Sequence, residues 1–165
     1  MLTALTVVGC GGSDQADGES SGAGGGSKSR SASSGSPSGD RAASAKPSVS
    51  AADGRDTGAC ADGNCEIAVS ERVKIRFKGP GGRATLSVTE VGPNKVEYTV
   101  KSGNGRSEGG AGGPGQGCIT VVRSNGGGNS CGRVGTARPS AEPDAVVIQV
   151  ATGKDGTALL QMVSD

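Results

Sequence analysis

The distribution of large apolar side chains constrains this chain more than any other feature of its sequence. Between residues 11 and 59, Gly, Ser and Ala fill 33 of 49 positions, and Val49 is the one large apolar residue. Such a segment has nothing to bury against the entropy of ordering it, so it reads as a disordered linker. Residues 60–165 instead carry 23 Val, Ile, Leu, Met, Phe or Tyr residues in 106 positions. That is enough for one thin core of the kind that needs staples. The organisation expected is therefore a short apolar terminus (1–10), a linker (11–59) and one folded domain (60–165).

The periodicity of the folded part is two. Val73-Lys74-Ile75-Arg76-Phe77 alternates strictly, and 65–69, 86–89 and 96–100 follow the same rule. Segments 118–122, about 132–137, 145–151 and 157–163 complete eight expected strands. Gly92-Pro93-Asn94 and Gly153-Lys154-Asp155-Gly156 are hairpin signals. The fold class expected is all-β, a small antiparallel sandwich or barrel of about eight short strands. A weak echo between the two halves suggests a duplication. Residues 103–117, with 8 Gly in 15 positions, read as a passive connector sooner than as an adaptable binding loop, since they offer no aromatic and only Arg106 and Glu108 as charges.

Beyond Cys10 the cysteines are Cys60, Cys65, Cys118 and Cys131, an even number that suggests two disulfides, Cys60–Cys65 and Cys118–Cys131. The second asks for a loose loop. A tight hairpin centred on Gly127 would set Cys131 opposite Arg123, roughly 17 Å from Cys118 at about 3.4 Å per residue. A four-Cys zinc site needs two close pairs, and the twelve residues between Cys118 and Cys131 do not make one. No metal and no cofactor are expected.

The chain has no His and no Trp, which removes His-based triads, bases and metal ligands. Its 17 basic and 16 acidic residues nearly cancel, which disfavours a nucleic-acid partner. The charged feature with a pattern is Arg72, Lys74, Arg76 and Lys78. Spaced by two, they project from one face of one strand, followed closely by Arg83. The stripe is either a solvated outer face, with Glu90 or Glu97 across the sheet as partners, or a surface for anionic ligands such as cell-wall polymers or head groups.

The terminus Met-Leu-Thr-Ala-Leu-Thr-Val7-Val8-Gly9-Cys10 ends an apolar run with a branched aliphatic residue three before Cys10 and a small one just before it. This resembles the lipobox of bacterial lipoproteins, and the resemblance implies that the Cys10 thiol carries a diacylglycerol. A secretory leader also begins with a basic n-region, which these nine residues lack, so the expectation is that it lies in frame upstream. Lipobox, Gly/Ser/Ala linker and the segment Cys60-Ala-Asp-Gly-Asn-Cys65-Glu-Ile-Ala-Val-Ser70 together look like the small secreted lipoproteins of actinobacteria. That resemblance implies an extracytoplasmic protein anchored to the cell membrane. It carries over no catalytic residue. The partner expected is an anionic cell-wall polymer, from the cationic stripe, or another envelope protein. The function expected is a binding or structural module of the envelope; the alternative is an envelope enzyme with a carboxylate-based site.

Overall fold

The computed structural model describes residues 49–165, so Cys10 and most of the linker lie outside the described residues. Nine strands form two antiparallel sheets. They are β1 (Cys65–Val69), β2 (Val73–Gly79), β3 (Gly82–Gly92), β4 (Lys95–Ser102), β5 (Gly105–Gly112), β6 (Gln116–Arg123), β7 (Gly126–Arg133), β8 (Ala145–Thr152) and β9 (Ala158–Ser164). One sheet has the order β1-β9-β8-β6-β7 and the other β2-β3-β4-β5. The fold is thus an open sandwich. The suggested duplication is not seen in the topology, because β1 pairs with β9 while its supposed equivalent β6 pairs with its own successor β7.

The alternation places the core as expected. Ile75, Phe77, Leu86, Val88, Val96, Tyr98 and Val100 face inward from the four-stranded sheet, against Ile67, Val146, Ile148, Val150, Leu160 and Met162 of the other. Both hairpin signals hold: Asn94 takes φ 52° between β3 and β4, and Gly156 takes φ 78° between β8 and β9.

Three expectations fail for one physical reason, that glycine-rich chain can pair as strand when tertiary contact demands close approach. First, residues 105–112 of the supposed passive connector are strand β5. Tyr98 lies directly opposite Gly109, and a Cβ there would come within 2.3 Å of the ring. The bare backbone is what lets the ring lie flat across β5. Secondly, β7 begins at Gly126, not near 132. A Cβ at Gly127 would meet the Val121 carbonyl oxygen at 2.6 Å. The glycines taken for a turn are ladder positions, and the turn is Ser124-Asn125, because Arg123 faces Gly126. Thirdly, this recentring sets Cys118 directly opposite Cys131, so a tight hairpin carries the disulfide and no loose loop is needed.

Both disulfides are formed, Cys60–Cys65 within the core and Cys118–Cys131 from the core to an exposed edge. They indicate folding in an oxidising, extracytoplasmic compartment. The folded unit also begins earlier than residue 60. The Asp53 N–H donates to the Glu66 carbonyl and the Ala68 N–H to the Gly54 carbonyl. A 3-10 turn, Thr57–Asp62, is capped by Asp56 and carries Cys60 into the core. The sequence could not show this, because backbone pairing needs no apolar side chain.

One polar relay ties the sheets together. Thr120 on β6 donates to Asn129 Oδ1 on β7 (3.1 Å) and is 2.8 Å from the Tyr98 hydroxyl on β4. Asn129 Nδ2 donates to the Glu108 carbonyl on β5 (2.7 Å). Burial raises the Tyr98 pKa above its ordinary value, against the hydrogen bond to Thr120, which lowers it.

Tyr98 is the sole Tyr and there is no Trp, so phenolate absorbance reads it alone. In the unfolded chain the phenol ionises near pH ~10. The fold keeps it neutral to higher pH, so above about pH 10 the unfolded chain binds fewer protons and stability falls as pH rises. An alkaline titration is expected to show Tyr98 ionising above its free value, together with loss of folded structure. Gly109→Ala should cost about 1–3 kcal/mol in denaturant unfolding, since the ring must leave its place over β5. The double variant Cys118→Ser, Cys131→Ser should lose about 2–3 kcal/mol by the same measurement.

Candidate functional site

The two outer faces of the sandwich differ. On the five-stranded sheet, Glu66, Gln161 and Gln149 lie side by side on β1, β9 and β8. Gln149 Nε2 donates to Gln161 Oε1 (3.0 Å), and Gln161 Nε2 to Glu66 Oε2 (2.9 Å). The same amides hold the connector 134–144 over the sheet, through the carbonyls of Gly135, Thr136 and Ala137. Arg138 adds a bond to the Met162 carbonyl, and Glu142 pairs with Arg123. This strap leaves Gln149 and Gln161 buried on what would otherwise be an open surface. Their amides are satisfied, as buried polar groups must be.

Among the described residues no such strap crosses the outer face of the four-stranded sheet. Arg72 precedes β2, and Lys74, Arg76 and Lys78 alternate along it, all exposed, with Ile75 and Phe77 buried between them. The expected one-faced stripe is therefore present, on an edge strand. The register extends it across the sheet. Lys78 faces Arg83; Arg76 faces Thr85, which faces Lys101, which faces Arg106; Lys74 faces Ser87, which faces Thr99, which faces Glu108. Two banks of cations thus flank a half-buried floor of Thr85 and Ser87, with Thr99 buried. Beside the floor a concavity of about 430 Å³ opens over β4 and β5 where Gly110 stands opposite Glu97.

The carboxylates do not go where the sequence suggested. Glu90 and Glu97, expected across from the stripe, both bind Lys95, at 2.8 and 3.4 Å. Hydrogen bonding to Glu90 first, then to Glu97, raises the Lys95 pKa above its ordinary value, more than offsetting desolvation. Glu108 binds Arg106 at 2.6 Å. Among the described residues no salt bridge is formed by Arg72, Lys74, Arg76, Lys78, Arg83 or Lys101.

Charge is segregated as a result. Residues 72–112 carry eight basic and three acidic residues, a net +5, whereas the rest of 60–165 carries four basic and seven acidic, a net −3. The near-neutral total hides this split. Lys101 and Arg106 were missed at the sequence level. The alternation through Val96–Lys101 already turned Lys101 outward, but only the pairing of β3 with β4 brings it alongside the stripe. Comparison with protein-family models, with curated proteins and with solved structures finds no match for this chain.

Exposed substitutions usually change stability by no more than about 0.5 kcal/mol. The triple variant Arg72→Ser, Lys74→Ser, Arg76→Ser is therefore expected to unfold within about 1 kcal/mol of wild type in urea. A much larger loss would make the stripe part of the fold's support instead of a free surface.

Proposed function

We propose that this protein is an extracytoplasmic binding module of the cell envelope, held to the membrane by a lipid on Cys10. The linker that follows Cys10 lets the β domain work away from the bilayer. Counted to the first residue paired with the sheet, Asp53, that segment is residues 11–52, for which a Gly/Ser-rich chain has a typical reach of roughly 32–39 Å. The two disulfides support the compartment. The observation that carries the binding reading is the contrast between the faces. One outer face is covered by a strap of the chain itself; the other is uncovered among the described residues and cationic, centred on Arg72, Lys74, Arg76 and Lys78. Its partner is an anionic component of the envelope, bound by ionic contacts that weaken as salt shortens the screening length below about 10 Å.

Two measurements test the reading. Wild type expressed with its natural leader should partition with membranes, and Cys10→Ala should move to the soluble fraction; equal partitioning would remove the lipid anchor. Wild type should also sediment with purified cell envelope at low salt, and the triple Ser variant at Arg72, Lys74 and Arg76 should sediment several-fold less. Equal sedimentation would return the stripe to a solvated face that protects an edge strand from aggregation.

A further inference from the structure

Like charges directly opposite one another on adjacent strands destabilise a sheet. The four-stranded sheet has three such pairs: Glu90 with Glu97, Lys101 with Arg106, and Lys78 with Arg83. The acidic pair is resolved by Lys95, which binds both carboxylates. In the second pair Arg106 is held by Glu108. Lys78 and Arg83 form no salt bridge among the described residues, although both are exposed and either could be a neutral residue at no cost to the core. Asp62, Asp144 and Asp165 share a concavity of about 260 Å³ with Lys78 but make no ion pair with it. A like-charge pair kept without a direct ion pair is the kind of local conflict a fold tolerates at a functional site.

The spacing of charge along this face can be compared with that of candidate polyanions. Lys74, Arg76 and Lys78 recur every two residues, about 6.8 Å along the strand. Two residues contain six backbone bonds. A three-carbon polyol phosphate chain also has six backbone bonds from one phosphorus to the next, so its charges recur at a comparable spacing when it is extended. Laid along β2, such a chain would set one phosphate at Lys78 and Arg83, the next over Thr85 between Arg76 and Lys101, and a third at Lys74 and Ser87.

A nucleic acid strand has the same six-bond repeat, but the sites that hold single strands add stacking of bases on aromatic side chains to a cationic groove. The two aromatics of this chain, Phe77 and Tyr98, are each 2 % exposed and point into the core. The outward residues of β2 and β3 along the ladder, from Lys74 to Lys78 and from Arg83 to Ser87, are Lys, Arg, Thr and Ser, with no apolar side chain to enter a bilayer. We propose that the outer face of β2–β3–β4 binds a linear polyol-phosphate polymer, laid along β2 and gripped by Lys74, Arg76, Lys78, Arg83 and Lys101. This rests on the reading of that face as the ligand surface and names its ligand.

The test uses the full chain carrying Cys10→Ala, so that no lipid contributes, with poly(glycerol phosphate) as probe. Three to four ionic contacts predict a loss of affinity of roughly 20–50-fold between about 50 and 200 mM salt. Arg83→Ser and Lys101→Ser should each weaken binding about 2–5-fold, whereas Arg133→Ser on β7 should not. Lys78→Ser should weaken binding and yet raise the Tm of the free protein by roughly 1–5 °C, because it relieves the clash with Arg83. A packing role would lower Tm.

Equal binding by wild type and the Arg83 and Lys101 variants overturns the proposal. So does tighter binding, at equal charge, to oligo(dT), to polygalacturonate or to phosphatidylglycerol vesicles. Retained sedimentation with cell envelope but no binding to poly(glycerol phosphate) removes this inference and leaves the envelope-module reading standing. Loss of both removes both.

Discussion

The sandwich depends on the contact between Tyr98 and the strand it crosses. Four strands meet at that ring. It belongs to β4, lies over Gly109 of β5, and sends its hydroxyl to Thr120 of β6, which in turn donates to Asn129 of β7. Asn129 closes the circuit by donating to the Glu108 carbonyl of β5. Strands β5 and β7 are poor in side chains and could not hold an edge by apolar burial. They are kept in place by glycine at the point of closest approach and by a hydrogen-bond chain that starts at the buried Tyr98–Thr120 pair and runs out to the exposed Asn129. In a core with two aromatic residues, the one that can also hydrogen-bond joins the sheets.

That arrangement governs how the open sheets manage their edges, which are otherwise templates for aggregation. The β5 and β7 edges are drawn together by the Asn129 bond. The β1 edge is paired by the chain around Asp53 and Gly54, ahead of the 3-10 turn. The β2 edge is protected by Lys74, Arg76 and Lys78. Charge alone would do for protection, and a row of cations on one strand needs no other account. Protection does not explain why Arg83 and Lys101, on the interior strands β3 and β4, continue the positive field behind that edge. The field spans the sheet because the three carboxylates carried by β3, β4 and β5 are engaged by Lys95 and Arg106, and β2 carries none.

The opposite face shows what the protein does with a surface it does not present. Gln149 and Gln161 stand where an exposed sheet would carry charges, and they bind the carbonyls of a connector that crosses above them. The connector has hardly any apolar side chain of its own, so it is held by backbone acceptors meeting buried amide donors, a fully paired network in place of a second core. The sandwich therefore has one interior, one sealed face and one open face, and the sign of the open face is positive.

The sequence by itself determined the β class, the inward and outward sides of β2, β3 and β4, the hairpins at Pro93-Asn94 and Lys154-Asp155, and that the cysteines beyond Cys10 are even in number. All of these follow from alternation, turn chemistry or parity, which act over a few residues; the pairing of Cys118 with Cys131 was decided by the register of β6 on β7. It also displayed the stripe Arg72, Lys74, Arg76 and Lys78, because spacing of two places side chains on one face whatever the strand's neighbours. The strands β5 and β7 were out of its reach, since a glycine-rich segment has no side-chain pattern to read and becomes a strand only because Tyr98 and Val121 require bare backbone beside them. Tertiary structure alone decided which strand lies next to which. That decision gave Glu90 and Glu97 to Lys95, set Arg83 against Lys78, and brought Lys101 beside the stripe, turning one cationic strand into a cationic face. The physical reason is that charges on different strands interact through register, and register is fixed by the whole sheet, not by any local stretch of chain.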